Sequence, residues 1–379
     1  MATLTFCTTT LFDHGAIGQI GDTLKAQGIS RPLVCTDIGL VRAGIVDKLR
    51  GAMSNEFQAT VFQDTPENPT EEAVLAAAAL YREAGCDGIV ALGGGSSMDL
   101  GKAVALTVTH EGDMISFTAA LGGAQKIGPV APLIAVPTTA GTGSEVSSGA
   151  VVIMSNGEKL ILASKHLVPR VAICDPDLTL GLPAMLTAAT GMDAVAHCIE
   201  AVCSRQVNPP ADAVGLDGIT RALGQGHLER AVSDGSNATA RWNMMMASSE
   251  GAMAFTKGLG AVHSMSHACG SLPGLRLHHG TLNAVCLPPV LRFNHEKISE
   301  VLPRIASAMG LAEGADVSDE IEALNTRLGL PKNLGEMGVT TDMIDYLSAH
   351  AAKDVCTLTN PRNVSRDEYA VLFEQTIAG

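Results

Sequence analysis

The chain has 379 residues, 46% of them hydrophobic, which is enough for a sizeable interior and more than one core comfortably holds. Its net charge of −14, with no basic stripe, excludes a nucleic-acid binder and gives no attraction to anionic membranes. No apolar run reaches the roughly 18–20 residues of a membrane span, and the start MATLTFCTTTLFDHG lacks the basic-then-apolar pattern of a secretory signal.

Short apolar runs alternate with helical patterns through the first half. Residues 31–36 (RPLVCT) predict a strand and 60–62 another. Residues 70–84 predict a helix capped by Thr70, with Glu71 and Glu72 in its first turn. Residues 88–92, 133–136 and 172–174 predict three further strands. Such alternation argues a parallel sheet covered by helices on both faces. The pattern changes near Leu182-Pro183, beyond which helical periodicity prevails. The expected organisation is an α/β dinucleotide-binding domain over 1–181 and an all-helical metal-binding domain over 182–379. The nine cysteines include no CxxC pair and are odd in number, which fits a reducing cytoplasm. Cys198 and Cys269 are expected to pack as small hydrophobes.

Two loops follow predicted strands. Gly93-Gly94-Gly95-Ser96-Ser97-Met98-Asp99 leads into a helix, where glycines and free N–H groups suit a phosphate. It departs from GxGxxG because Met98 takes the third glycine position, and a simple capped turn with Ser96 and Asp99 is the competing reading. The second loop, Pro137 to Glu145 (PTTAGTGSE), offers hydroxyls and glycines that can wrap a pyrophosphate or ribose. Asp37 follows the first strand and suits a ribose 2′-hydroxyl, favouring NAD over NADP, or else serves as a turn aspartate.

Asp193 and His197 are four apart in a helical segment, so both lie on one face. His263 and His267 repeat that spacing, and His278-His279-Gly280 follows. Three imidazoles and one carboxylate suit a borderline divalent ion such as Fe²⁺ or Zn²⁺ and leave a position open for a substrate oxygen. Spacing alone leaves open which histidines belong to the set.

The stretches GGGSSMDLGK, PTTAGTGSEV, CDPDLTLGLP, GMDAVAHCIEA, GLGAVHSMSHACG and LHHGTLNA resemble the iron-containing (group III) alcohol dehydrogenase family. The resemblance implies the dehydroquinate synthase-like fold, with the site in the cleft between an α/β and a helical domain. It implies metal ligands at Asp193, His197, His263 and His279, with His267 as a non-ligand histidine that assists proton transfer. It implies NAD contacts at Asp37, Asn68, Gly94, Gly95, Ser96, Asp99, Thr138, Thr139, Thr142 and Lys159. All four ligand positions are kept, unlike in metal-free relatives that reduce maleylacetate. A homodimer or higher homo-oligomer is implied as well.

The expected reaction moves hydride between NAD and a short primary alcohol or ω-hydroxy acid of the 4-hydroxybutyrate type, with the ion acting on the substrate oxygen. Within the family, LHHGTLNAV, CDPDLTLGLPA and NPPAD resemble the stretches of members that act on 4-hydroxybutyrate, and the resemblance implies that substrate. Arg276, Ser147 and Ser148 are the expected anchors for its far end. Another short alcohol, a diol, or a sulfonated or phosphonated alcohol is the alternative substrate. An NAD- and metal-dependent cyclase of related fold would need a Lys/Arg cluster for phosphate, in which the segments around the histidines are poor. A non-catalytic metal-binding protein would not need the two phosphate-type loops.

Overall fold

Six strands form one parallel sheet: β1 (Thr9–Phe12), β2 (Pro32–Cys35), β3 (Thr60–Phe62), β4 (Gly88–Gly93), β5 (Leu133–Pro137) and β8 (Val171–Cys174). Their order is β1-β8-β5-β4-β2-β3. The computed structural model describes residues 8–54, 56–272 and 274–379. β2, β4, β5 and β8 are buried along their whole length. That is why these strands read as unbroken apolar runs rather than as alternating ones.

The period of two sorts the strand side chains into two cores. Leu33, Cys35, Ile89, Ala91, Leu133 and Ala135 face one; Val34, Val90, Leu92, Ile134, Val136 and Ile173 face the other. The register keeps the faces aligned, with Val34 opposite Val90 and Val90 opposite Ile134. The helix after β3 spans Glu71–Glu83, and its Thr70 cap accepts from Ala73 N–H at 3.2 Å.

Two elements of this unit are absent from the sequence expectation. β1 is short and lies at the sheet edge. β6 (Gly149–Ile153) and β7 (Lys159–Ala163) form an antiparallel hairpin. Its turn contains Asn156-Gly157, with Gly157 at φ 84°. Asn-Gly is a hairpin signal, and it was available in the sequence.

Close contacts divide the chain into two units. One takes the described residues through Thr139 together with Ser144–Thr179; the other takes Ala140–Gly143 together with Leu180–Gly379. From Pro183 onward every regular element among the described residues is helical. The helix Ala184–Cys203 has Pro183 as its N-cap and is buried from Thr187 through Cys203. A helix buried all round must be packed on every side, and it serves here as the axis of the helical core.

Candidate metal centre and cofactor loops

The axial helix carries Asp193, His197 and Glu200 at spacings that return to one face. The helix Ala261–Gly270 carries His263 and His267 one turn apart, and His279 opens the helix His279–Ile298. Gly280 explains how His279 comes close. A β-carbon at 280 would lie 2.2 Å from the Ala189 carbonyl oxygen and 3.2 Å from Asp193 Cβ. Only glycine lets that helix start against the axial helix.

Three imidazoles then converge on one carboxylate oxygen. Asp193 Oδ1 lies 3.7 Å from His197 Nε2, 3.9 Å from His263 Nε2 and 3.7 Å from His279 Nε2. Those separations are too long for hydrogen bonds. They are a little wider than the about 3.4 Å between donors arranged tetrahedrally around a zinc-sized ion. Donor atoms of Asp193, His197 and His263 all fall within 4.8 Å of one another. His278, by contrast, places Nδ1 3.5 Å from Thr281 Oγ1.

Proton accounting shows that this donor set fits a cation. Glu200 Oε2 lies 2.6 Å from His263 Nδ1, so the ring proton sits there and Nε2 keeps its lone pair. Ser266 Oγ lies 2.8 Å from His279 Nδ1 and can do the same for that ring. Burial pulls His197 down to about 4, so it is neutral at pH 7. For His263 burial also acts downward, but Glu200, Asp193 and Asp354 outweigh it and raise its pKa. Asn283 Nδ2 lies 2.7 Å from Asp193 Oδ1, 3.1 Å from His263 Nε2 and 3.1 Å from His279 Nε2. An amide has only two hydrogens and cannot satisfy three acceptors. With the rings neutral the lone pairs outnumber the donors, and a divalent ion would resolve that excess; the raised His263 pKa likewise marks a place that favours positive charge.

The exposed side of the cluster is defined by burial. Asp193, His197 and His263 are buried, whereas the His279 side chain is 31% exposed and that of His267 18%. His267 stacks on His279 with ring centroids 5.4 Å apart. Its Nδ1 lies 2.9 Å from Asp354 Oδ2. Burial pushes the Asp354 carboxyl up, but His267 and the Cys356 N–H outweigh it and hold it at about 2.

In the sheet unit, the helix Gly95–Thr107 follows β4 with Gly94 as N-cap. Glycine supplies no capping side chain to occupy the first-turn N–H groups, a feature that suits an anion. A β-carbon at Gly94 would lie 3.3 Å from the Thr139 side chain, so the two loops meet there. Lys159 Nζ donates to Asn68 Oδ1 at 2.9 Å, joining two more of the expected cofactor residues. Ser96 Oγ donates to the Glu67 carbonyl rather than capping its helix. Asp37 caps the short helix Ile38–Arg42 through Leu40 N–H at 3.0 Å, which leaves its second oxygen outside that bond. Thr138 is buried, its N–H on the Gly93 carbonyl; Thr142 belongs to the segment counted with the helical unit.

Asp99 turns inward. Its oxygens accept from Ser144 Oγ at 2.8 Å and Val151 N–H at 2.9 Å, so it holds the second loop and the hairpin. Lys102, which the sequence reading passed over, is buried with Nζ within 3.1 Å of Ser144 Oγ, Ser147 O, Ser147 Oγ and Gly149 O. Ser147 is therefore committed to Lys102, while Ser148 is exposed. Arg276 is exposed in the segment before His279. Cys198 and Cys269 are buried thiols, the latter pushed up to about 12 by burial.

Glu200, Ser266, Asn283 and Asp354 were all missed. Glu200 and Asn283 had a signal, since each lies one helical turn from a ligand position, after His197 and His279.

A parallel-sheet unit with an uncapped helix N-terminus, joined to a helical unit bearing three histidines and a carboxylate, defines a metal-dependent oxidoreductase of the dehydrogenase type. Comparison with known proteins agrees. Residues 7–176 match the family model for iron-containing alcohol dehydrogenase, and 187–377 match that for the C-terminal part of the Fe-containing alcohol dehydrogenase family. The chain is 51% identical to the 4-hydroxybutyrate dehydrogenase of Cupriavidus necator, with 100% of each covered. The solved structure of a 1,3-propanediol oxidoreductase superposes with a TM-score of 0.92 at 35% identity, covering 99% of this chain and 100% of that one. A sulfoacetaldehyde reductase from Bifidobacterium kashiwanohense, solved with NAD⁺, gives 0.89 at 28% identity, covering 100% and 99%. The chain belongs to the iron-containing alcohol dehydrogenase family, oxidoreductases that act on alcohols.

Proposed function

We propose that the protein interconverts a short ω-hydroxy acid of the 4-hydroxybutyrate class and its aldehyde, using NAD and one divalent ion. The observation that carries this reading is the convergence of three Nε2 atoms on Asp193 Oδ1. Asp193, His197, His263 and His279 would hold the ion; the donor set suits Fe²⁺ and Zn²⁺ alike, and the iron-containing family supports Fe²⁺ first. When bound, the ion supplies Lewis-acid polarisation of the substrate oxygen. In the oxidation direction His267 would take the hydroxyl proton, and NAD, when bound, would supply the hydride acceptor. The exposed edge formed by His267 and His279 supports entry from that side.

For NAD, the N-terminus of the Gly95–Thr107 helix suits the pyrophosphate, and Asp37 suits the ribose 2′-hydroxyl. Asn68, Gly94, Gly95, Ser96, Thr138, Thr139, Thr142 and Lys159 complete the proposed set, with Asp99 as its internal brace. The NAD⁺ complex of the sulfoacetaldehyde reductase supports that cofactor. The 51% identical relative supports the substrate class, and Arg276 with Ser148 are assigned to its carboxylate. The edge position of strand β1 supports pairing between copies, and buried free thiols such as Cys35, Cys198 and Cys286 support a reducing, cytoplasmic setting.

The test is NADH formation by protein loaded with Fe²⁺ or Zn²⁺ without oxygen, across 4-hydroxybutyrate, 1,3-propanediol, ethanol and 2-hydroxyethanesulfonate. The highest kcat/KM is expected on 4-hydroxybutyrate. A higher value on another alcohol overturns the substrate, and no NADH from any overturns the activity.

A further inference from the structure

His267 has a partner that no spacing in the sequence suggests. Asp354 lies far downstream, yet its Oδ2 is 2.9 Å from His267 Nδ1. The other oxygen is fixed as well. Oδ1 accepts from Cys356 N–H at 2.8 Å, capping the short turn Val355–Thr359. Ser264 Oγ lies 3.4 Å from the same oxygen and 2.9 Å from Thr357 Oγ1, which is 2.7 Å from Tyr369 OH. Tyr369 is fully buried, so the carboxylate rests on a rigid base.

We infer that Asp354 is a positioning residue: it locks His267 in one ring orientation with the proton on Nδ1 and the lone pair on Nε2. The inference rests on the proposed role of His267 as proton carrier. A neutral imidazole has one donor and one acceptor nitrogen, and a carboxylate at Nδ1 decides which is which. In alcohol oxidation the O–H bond breaks and its proton forms the N–H bond at His267 Nε2. The C–H bond breaks with its electron pair as hydride, for which NAD would be the acceptor when bound. The cation formed on His267 is then stabilised by the Asp354 carboxylate, and the proton leaves Nε2 to solvent. The His267 side chain is partly exposed, as that last step requires.

The same three side chains, His267, Asp354 and Cys356, also cluster closely enough to suggest a second ion site. Burial keeps the Cys356 thiol far above its ordinary range, so no thiolate is on offer. Both Asp354 oxygens already accept hydrogen bonds. A dyad accounts for the contacts and an ion does not.

The experiment is a double-mutant cycle on metal-loaded enzyme, following the single-turnover rate of NADH formation. Asp354→Asn should slow that rate by about 10- to 100-fold, less than the roughly 10²- to 10⁴-fold of the acid–base group itself, because Asp354 acts through His267. Bound metal and KM for NAD should stay at wild-type values. In a His267→Ala background the same substitution should cost less than about twofold, since the positioned ring is gone. Equal losses in both backgrounds overturn the positioning role. A His267→Ala enzyme with an undiminished rate overturns the proton-carrier reading itself. Should Asp354→Asn not fold, ¹⁵N shifts of His267 in the Zn²⁺-loaded wild type decide the matter. The Nδ1–H form is expected, and the Nε2–H form overturns the inference.

Discussion

Glu200 Oε2 and His263 Nδ1 lie 2.6 Å apart in the interior of the helical unit. Glu200 Oε1 also accepts the Val262 N–H at 2.8 Å, so the carboxylate holds both the ring and the backbone just before it. A carboxylate on the far nitrogen raises the basicity of the ligand nitrogen and fixes its direction, typically worth about 10- to 100-fold in metal affinity. Glu200→Gln should therefore bind Zn²⁺ roughly 10- to 100-fold more weakly in competition with a chelator. Wild-type affinity in that variant would show that Glu200 only packs.

Gly280 yields a second expectation. Gly280→Ala places a methyl 2.2 Å from the Ala189 carbonyl oxygen, so the start of the His279 helix must move. Overpacking of this kind costs about 1–3 kcal/mol. The fall in melting temperature should be accompanied by loss of bound metal, because His279 leads that helix. A destabilised variant with a full complement of metal contradicts the account of how His279 is placed.

Asp37 serves two roles that one substitution can separate. Its carboxylate caps the Ile38–Arg42 helix, and its charge is proposed to disfavour a 2′-phosphate. Asp37→Ser keeps a capping oxygen and removes the charge, so stability should change by less than about 1 kcal/mol. The ratio of kcat/KM for NADP to that for NAD should rise at least about tenfold, a shift of about 1.4 kcal/mol. An unchanged ratio removes Asp37 from cofactor selection.

Lys102 gives a pH dependence with a definite sign. Burial pulls its pKa down from 10.5 to about 8, against the pull of Asp99 and Glu145. The folded chain thus releases this proton before the unfolded chain does. Below about pH 8 the group costs stability in full, and that cost is relieved as pH rises from 8 to 10.5. Relative to Lys102→Met, the wild type should gain about 3 kcal/mol across that window, at about 1.4 kcal/mol per unit. Denaturant unfolding of both proteins over the window checks this; a constant difference contradicts it.

These residues also show where the sequence was informative and where it was not. β2, β4, β5 and β8 are legible because strands buried on both faces leave short apolar runs bounded by glycine, proline or polar residues. β1 and the hairpin carry weaker patterns, half-exposed and short. Asp193 with His197, and His263 with His267, are legible as helical pairs, but spacing pairs His263 with the wrong neighbour for the convergence on Asp193. His279 joins through Gly280, a packing fact visible only in three dimensions. Asp354 reaches His267 through tertiary structure alone, so no local period announces it. Asp99 ends the first expected loop and Ser147 follows the second, but buried Ser144 and Lys102 draw them inward.

The central claim is that Asp193, His197, His263 and His279 hold one divalent ion while His267 does not. Elemental analysis of His279→Ala and His267→Ala, purified without oxygen beside the wild type, tests it most directly. The account predicts less than about a tenth of the wild-type metal in His279→Ala, and wild-type metal with slowed turnover in His267→Ala. Full metal in His279→Ala, or an emptied site in His267→Ala, would contradict it.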